Sequence, residues 1–345
     1  MVSQWTRLRI EHQLTLILDP IIARMISCID ADVTCRPTMT DSEKSMNNET
    51  SGRCDSDILV SVVIPAFNRP NLLHRAIMSV IDQTHKNLEI FVVDDASTED
   101  LRSLLEGFSD DRINYLRHEI NKGGSAARNT GIRHSHGEYI AFLDSDDEWF
   151  PKKIETQLAD FLKKAPTYHA SYCRYEVFDD DLGKVVKYRG FGREGNLLSD
   201  LLFKNCIGTT SSILIRKECL DRIGGFDEML RSGQEWEMYI RFSKYYSFAY
   251  VDSSLLRYHI HKQGRIGDSK HAETLPYIYE KHKELYMGNR KANAAMLSDV
   301  GYWEMALGDV RKARRCFLRS LLADPLLMRN YLRILMSFRG RLVSE

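Results

Sequence analysis

From residue 58 onward, apolar runs alternate with segments whose apolar residues recur at helical spacing. Leu59 to Ile64 is a β-branched run ended by Pro65. Pro70 suits the first turn of a helix carrying Leu72, Leu73, Ala76, Ile77, Val80 and Ile81 on one side. Leu88 to Val93 reads as a second buried strand and runs into Asp94, Asp95, Ala96 and Ser97. Ser97 or Thr98 is expected to cap a helix containing Leu101, Leu104 and Leu105. Ile113 to Arg117 is a short strand, Gly123-Gly124-Ser125 opens another helix, and Tyr139 to Leu143 is a strand ending in Asp144.

Continuous apolar strands separated by helices predict an α/β fold with a mostly parallel sheet and helices on both faces. In such sheets ligands bind beyond the carboxyl ends of the strands. The polar groups near Asn68, Asp95 and Asp144 are therefore expected to converge on one edge.

After Pro166 the texture changes. Strand-like runs (Tyr168 to Phe178, Lys184 to Tyr188, Ser211 to Ile215) mix with short helices. A helix over about Gln234 to Tyr246 would turn Trp236, Tyr239 and Ile240 inward. From about Lys291 the pattern is helical, and Gly301 to Pro325 resembles one tetratricopeptide-type hairpin, a unit that needs a surface to pack on. This divides the chain into an N-terminal extension and polar linker (1–57), a main domain (58–285) and a C-terminal helical region (290–345).

Composition narrows the class. The chain has 345 residues, with 48 basic and 48 acidic side chains, so net charge gives no sign of a nucleic-acid partner. Cys28, Cys35, Cys54, Cys173, Cys206, Cys219 and Cys316 are scattered and odd in number, which fits a reducing compartment, the cytoplasm, better than a disulfide framework. Leu14 to Ile29 is the most apolar stretch, but Asp19, Pro20 and Arg24 break it. It therefore reads neither as a membrane span, which needs roughly 20 apolar residues, nor as a secretory signal. An amphipathic helix or a non-native extension is expected there.

Four groups of residues carry candidate chemistry. Asp144-Ser145-Asp146-Asp147 at a strand end offers hard oxygen ligands for Mg²⁺ or Mn²⁺, although a lone Asp-x-Asp is more often a solvated acidic turn. Asp94 and Asp95 follow the preceding strand, where a carboxylate can meet a base N–H or a ribose hydroxyl, or simply hold a turn. Gly123 and Gly124 open a helix whose N–H groups can face phosphate, or else they only permit a tight turn. Glu235 and Glu237 flank Trp236 at a helix start, where an acid is favoured by the helix dipole and can also serve as a general base.

Together, and in this order, these groups resemble the family 2 glycosyltransferases over about residues 58 to 262. The resemblance rests on the segments Val62–Asn68, Val92–Thr98, Gly123–Gly131, Gly137–Asp147 and Gly224–Asp227. It implies a GT-A fold, a nucleotide-diphospho-sugar donor, a divalent metal and inversion at the anomeric carbon. Pro65, Phe67 and Asn68 then fall where the first loop meets the nucleotide, Asp95 on the base-binding aspartate with Asp94 beside it, and Gly124 and Arg128 along the nucleotide. Asp144 matches the ribose-side aspartate and Asp146 the metal ligand. Glu235 falls on the catalytic acid, here in a Gln234-Glu235 pair that departs from the usual acid-acid-Trp, with Glu237 in reserve. His259, or alternatively His261, resembles the late-strand histidine that approaches the metal or diphosphate, and a structural histidine fits either position equally. Acceptor contacts are expected within 185–232, and the acceptor class implied is a glycan or a lipid-linked glycan of cell-surface polysaccharide synthesis.

Two rival readings follow from the same residues. A sugar-nucleotide pyrophosphorylase would carry a basic glycine-rich first loop, where this chain has Pro65-Ala66-Phe67-Asn68-Arg69-Pro70. A non-catalytic nucleotide-sugar-binding or scaffold protein would account for the helical tail, while Asp144, Asp146 and Glu235 count against decay of the site. Residues 311–345 interleave arginines with apolar side chains, a composition suited either to the anionic inner face of a membrane or to a solvated helical cap.

Overall fold

The computed structural model describes residues 55–190, 192–260 and 267–339, all within one compact unit. The apolar stretch Leu14 to Ile29, nearly all of the expected 1–57 extension, and His261 lie outside the described residues.

Among the described residues nine strands form one sheet: β1 (Val60–Ala66), β2 (Leu88–Asp94), β3 (Ile113–Arg117), β4 (Tyr139–Phe142), β5 (Glu148–Trp149), β6 (Ala170–Asp179), β7 (Lys184–Arg189), β8 (Ile213–Arg216) and β9 (Phe248–Ile260). Their order is β3-β2-β1-β4-β8-β6-β9-β5, with β7 added on β6. The first four are parallel, pairing Val60 with Leu88, Val60 with Tyr139 and Ile90 with Ile113. Beyond β4 the sheet is mixed: β8 runs antiparallel to β4 and β6, while β6 and β9 are parallel. The α/β sheet expected from the alternation is thus present, and its mixed half is built from the strands that follow Pro166 together with β5.

Helices cover both faces. They are α1 (Pro70–Ile81), α2 (Leu101–Glu106), α3 (Gly124–His134), α4 (Lys153–Lys164), α5 (Leu198–Leu201), α6 (Lys217–Ile223), α7 (Gln234–Phe242), α8 (Gly267–Lys281), α9 (Lys283–Gly288), α10 (Arg290–Ala306), α11 (Val310–Ala323) and α12 (Arg329–Arg339). Side chains two apart on a strand share a face, so β1 sends Val62 and Ile64 into one core and Val63 into the other. The core of Val63 also receives Ala127 of α3 and Met238 of α7, and the core of Val62 and Ile64 receives Leu73 of α1 and Leu158 of α4.

Two expectations are corrected. Asp100, not Ser97 or Thr98, caps α2, its carboxylate accepting from the Ser103 N–H at 3.1 Å. Both hydroxyls are occupied elsewhere: Ser97 Oγ accepts from the Asn68 N–H at 2.8 Å, and Thr98 Oγ1 donates to Asn68 Oδ1 at 3.1 Å. Helix α7 stops at Phe242 rather than Tyr246, because the chain turns there to bring Phe248 into the sheet beside Ala170.

The C-terminal helices share the main core. Ala292, Met296, Leu297 and Val300 of α10 and Cys316 of α11 belong to the same buried cluster as β1 and α7. Within the α10–α11 hairpin Gly301 faces Phe317; a Cβ there would stand 2.6 Å from the ring. No helix among the described residues is long and apolar enough to cross a membrane.

Candidate active site

Strands β1, β2 and β4 end side by side, and the loops that follow hold most of the expected residues. At the end of β1, Pro65 is partly buried, while Phe67 is 47% exposed and offers a flat ring to solvent. Asn68 adopts a left-handed backbone (φ 56°), and its Oδ1 accepts from the Thr98 N–H at 2.9 Å. The first loop is thereby fastened to the second.

Both aspartates at the end of β2 are held by hydrogen bonds within the protein. Asp94 is wholly buried and accepts from Tyr115 Oη (2.6 Å), Arg117 Nη1 (2.7 Å) and the Ser97 N–H (2.8 Å). Expected beside the nucleotide, its carboxylate is closed off by these three partners and holds the loop after β2. Asp95 folds the glycine turn: Oδ1 accepts from His118 Nδ1 (2.7 Å) and the Lys122 N–H (2.8 Å), and Oδ2 from the Gly123 N–H (2.7 Å). Gly123 has φ 92°, a conformation open to glycine, and α3 begins at the next residue.

Arg128, one turn into α3, joins the two halves of the site. Its Nη2 donates to Asp144 Oδ1 at 2.6 Å and its Nη1 to Gln234 Oε1 at 2.8 Å. The guanidinium is 11% exposed and lies against the Phe226 ring, 5.4 Å from its centroid. Its buried Nε has no hydrogen-bond partner among the described residues. Gly124 is small enough for this approach: a Cβ would meet Arg128 Nη1 at 3.2 Å.

The β4 loop supplies three carboxylates. Asp144 also accepts from Thr210 Oγ1 at 3.0 Å. Asp146 is about one-third exposed and has Arg69 Nη1 at 3.4 Å, while its carbonyl accepts from Arg75 Nη2 at 2.7 Å. Asp147, which the sequence displays but gives no separate role, is wholly buried, with Ser211 Oγ donating at 2.5 Å and the His259 N–H at 3.3 Å. Burial and the negative charges of Asp144 and Asp146 push the Asp147 carboxyl well above the usual range. Oxygen donors and surplus negative charge fit a hard divalent cation, and Mg²⁺-type sites are commonly completed by substrate phosphates. Among the described residues no three His, Cys, Asp or Glu side chains form a metal-holding group by themselves.

His259 does not join Asp146 in such a group. Its ring is 3% exposed and bridges Asp180, at 2.7 Å from Nδ1, and Glu148, at 3.6 Å from Nε2. Burial pushes it below the ordinary imidazole range, offset in part by Asp180.

The two glutamates of α7 part company. Glu235 is partly buried, with Asn205 Nδ2 donating to its Oε1 at 3.3 Å. Burial raises its carboxyl above the ordinary value, with Asp144 adding and Arg128 and Asn205 opposing. Glu237 is wholly buried and grips Arg241 through both Nε and Nη2, with Lys281 Nζ at 2.9 Å and His282 Nε2 at 3.1 Å. Burial alone would raise it, but hydrogen bonds from His282, Arg241 and Lys281 outweigh that and hold it low. Expected as the reserve base, Glu237 sits instead in an ion cluster that ties α7 to α8.

Sequence reasoning missed the Asn205–Ser211 loop, which touches Asp144, Asp147 and Glu235. The only signal was the hydroxyl run Thr209-Thr210-Ser211-Ser212 ahead of β8, within the segment expected to meet the acceptor.

The profile of glycosyl transferase family 2 matches residues 61–224. The chain is 31% identical over 242 residues to the putative colanic acid biosynthesis glycosyl transferase WcaA of Escherichia coli strain K12, covering 66% of this chain and 82% of that one. The chain belongs to glycosyl transferase family 2. It is also 37% identical over 163 residues to WfgD of Escherichia coli, named a UDP-Glc:alpha-D-GlcNAc-diphosphoundecaprenol beta-1,3-glucosyltransferase, covering 46% of this chain. This family 2 chain spans 61% of WfgD and 26% to 33% of the Rickettsia glycosyltransferases that match it next. Staphylococcus aureus TarS 1-349, solved in complex with UDP-GlcNAc, superposes with TM-score 0.59 at 15% identity over 82% of this chain and 90% of that one, so the two share the GT-A fold.

Proposed function

We propose that this glycosyltransferase inverts the anomeric centre of a sugar taken from a nucleotide-diphosphate donor and passes it to a glycan or lipid-linked acceptor of cell-surface polysaccharide. The observation that carries the reading is Arg128, which touches both Asp144 at the end of β4 and Gln234 beside Glu235. The relatives named for glucosyl transfer to a diphosphoundecaprenol-linked sugar and for colanic acid biosynthesis support the acceptor class.

On this reading Phe67, Asn68 and the turn held by Asp95 face the nucleotide, while Gly124, Arg128 and Asp144 face its ribose and diphosphate. Glu235 takes the acceptor hydroxyl proton as that oxygen bonds to the anomeric carbon and the carbon–phosphate-oxygen bond breaks. Its raised carboxyl suits a base working near neutral pH. Mn²⁺ or Mg²⁺, held by Asp146 with the donor's phosphates, would neutralise charge on the departing diphosphate. His259 is then a support, steadying Asp147 through its own N–H. The enzyme would work in the cytoplasm, with residues 311–345 in peripheral contact with the anionic inner face of the membrane.

The test is turnover with UDP-glucose and UDP-GlcNAc in Mn²⁺, followed as UDP release with and without an undecaprenyl-diphosphate-linked sugar. Glu235→Gln is expected to lose roughly 10²-fold or more in kcat, with donor affinity unchanged. Full turnover by Glu235→Gln would move the base elsewhere. Donor binding without release would favour the scaffold reading.

A further inference from the structure

Asp144 and Glu235 are joined by two separate routes, and the routes close a ring. The first passes through Arg128, which donates to Asp144 at 2.6 Å and to Gln234, the residue before Glu235, at 2.8 Å. The second leaves Glu235 Oε1 for Asn205 Nδ2 at 3.3 Å, follows the chain to Thr210, and returns from Thr210 Oγ1 to Asp144 Oδ1 at 3.0 Å.

Asn205 stiffens that second route. Its Oδ1 accepts from the Gly208 N–H at 2.8 Å and its Nδ2 donates to the Gly208 carbonyl at 3.0 Å. Gly208 has φ 96°, and a Cβ there would run into the Tyr175 hydroxyl, so only glycine fits at this point of the loop. Ser211, at the loop's far end, donates to Asp147 and accepts from the Asp144 N–H at 3.0 Å. A single loop of backbone therefore touches the donor-side carboxylates and the base together.

We propose that Asn205 is a positioning residue: it pins one oxygen of Glu235, and the ring Asp144–Arg128–Gln234–Glu235–Asn205–Thr210 sets the distance from base to donor. The proposal rests on the reading of Glu235 as the base. Pinning Oε1 fixes the orientation of the carboxylate, and the amide donor, like the residue's own backbone N–H, favours the charged form against its burial. The other groups facing Glu235 are Arg128, which opposes protonation, and Asp144, Tyr175 and Tyr239, which do not. Displacing a base by as little as one ångström costs on the order of 10- to 100-fold in rate.

The decisive variant is Asn205→Asp. It retains the oxygen that the Gly208 N–H needs and exchanges the amide donor for a like charge. The donor-free readout is the carboxyl ¹³C titration of Glu235, assigned by its disappearance in Glu235→Gln. The midpoint is expected to move up by about one pH unit or more, the acid limb of kcat should move with it, and kcat should fall 10- to 100-fold with the KM for the UDP-sugar unchanged. Asn205→Ala and Thr210→Val should be non-additive in kcat, since each opens the same ring. An unmoved Glu235 titration in folded Asn205→Asp overturns the proposal, as do additive effects of the two openings. If Glu235→Gln still turns over while Asn205→Asp shifts the titration, the base assignment falls and the contact stands. If Glu235→Gln is dead and the Asn205 variants match wild type, the positioning role falls alone.

Discussion

Arg128 Nη2 lies 2.6 Å from Asp144 Oδ1, on a guanidinium that is otherwise almost sealed from solvent. The pair makes α3 and the end of β4 into one unit, and Asp144 supplies most of what offsets the burial of the cation. Arg128→Lys retains the charge but not the fork that reaches Gln234 as well. The expected outcome is a loss of at least tenfold in UDP-sugar affinity and about 1–3 kcal/mol in stability, since Asp144 is partly exposed and water can take over some of its pairing. Isothermal titration and thermal melts check both; wild-type affinity would mean that Arg128 only braces the fold.

The strand–helix alternation made the first half of this fold legible because its central strands are built on apolar runs, Val62–Ala66 in β1 and Ile90–Val93 in β2. The carboxylates at the strand ends were legible for the same reason: the end of a run marks the edge of the sheet. What the sequence hid is how those carboxylates are spent. Nothing in Asp94-Asp95 tells that one is closed off by Tyr115 and Arg117 and the other folds a turn 28 residues away. Likewise Glu235 and Glu237 are two apart and look equivalent, yet α7 turns one toward Asn205 and the other into Arg241, Lys281 and His282. Long-range partners of this kind leave no periodic trace.

The Glu237 cluster sets a pH dependence of stability. Its folded carboxyl sits below the ordinary glutamate range, so it contributes stability that is fully present above that range and is lost as pH falls through it toward the folded value. Glu237→Gln leaves Arg241 and Lys281 without their shared anion and is expected to cost about 3–5 kcal/mol near neutral pH. The gap to wild type should narrow on acidification below about pH 4. Urea denaturation at several pH values measures this; a gap that is independent of pH would remove the ion cluster as the cause.

On the proposed reading, Asp146 would separate metal binding from folding. Its side chain is about one-third exposed, with Arg69 Nη1 at 3.4 Å, so Asp146→Asn should melt within about 1 °C of wild type, as surface changes generally do. Transfer should vanish, and the binding of Mn²⁺ in the presence of UDP, followed by electron paramagnetic resonance, should weaken with it. Near-normal turnover by Asp146→Asn in EDTA-treated buffer would sink the assignment of Asp146 as metal ligand.

The tail is where packing and surface chemistry divide the same helix. On α11, Ala313, Cys316, Phe317 and Ser320 face the protein, so this side is a structural cap. The opposite side carries Arg311, Arg315, Leu318 and Leu322, spaced so that they stack along one stripe, and Leu322 is 80% exposed. Helix α12 repeats the arrangement with Leu332, Leu335 and Phe338 outward, all more than half exposed, while Asn330 and Ser337 are buried. Some arginines of this region are tied down, Arg319 toward the Tyr279 hydroxyl and Arg333 to Ser298 and Asp299. Arg311 and Arg315 share the apolar stripe instead. A basic stripe disfavours a second copy of itself and favours an anionic lipid surface, where each such residue contributes about 1 kcal/mol, screened by salt. Leucines that reach the acyl boundary would add binding that salt does not weaken. The expected outcome is co-sedimentation with phosphatidylglycerol-containing vesicles, reduced but not abolished by high salt. Leu318→Ser with Leu322→Ser should abolish the salt-resistant part, and Arg311→Gln with Arg315→Gln the salt-sensitive part. Equal binding to neutral and anionic vesicles, or none to either, would leave α11 and α12 as a cap on the transferase and nothing more.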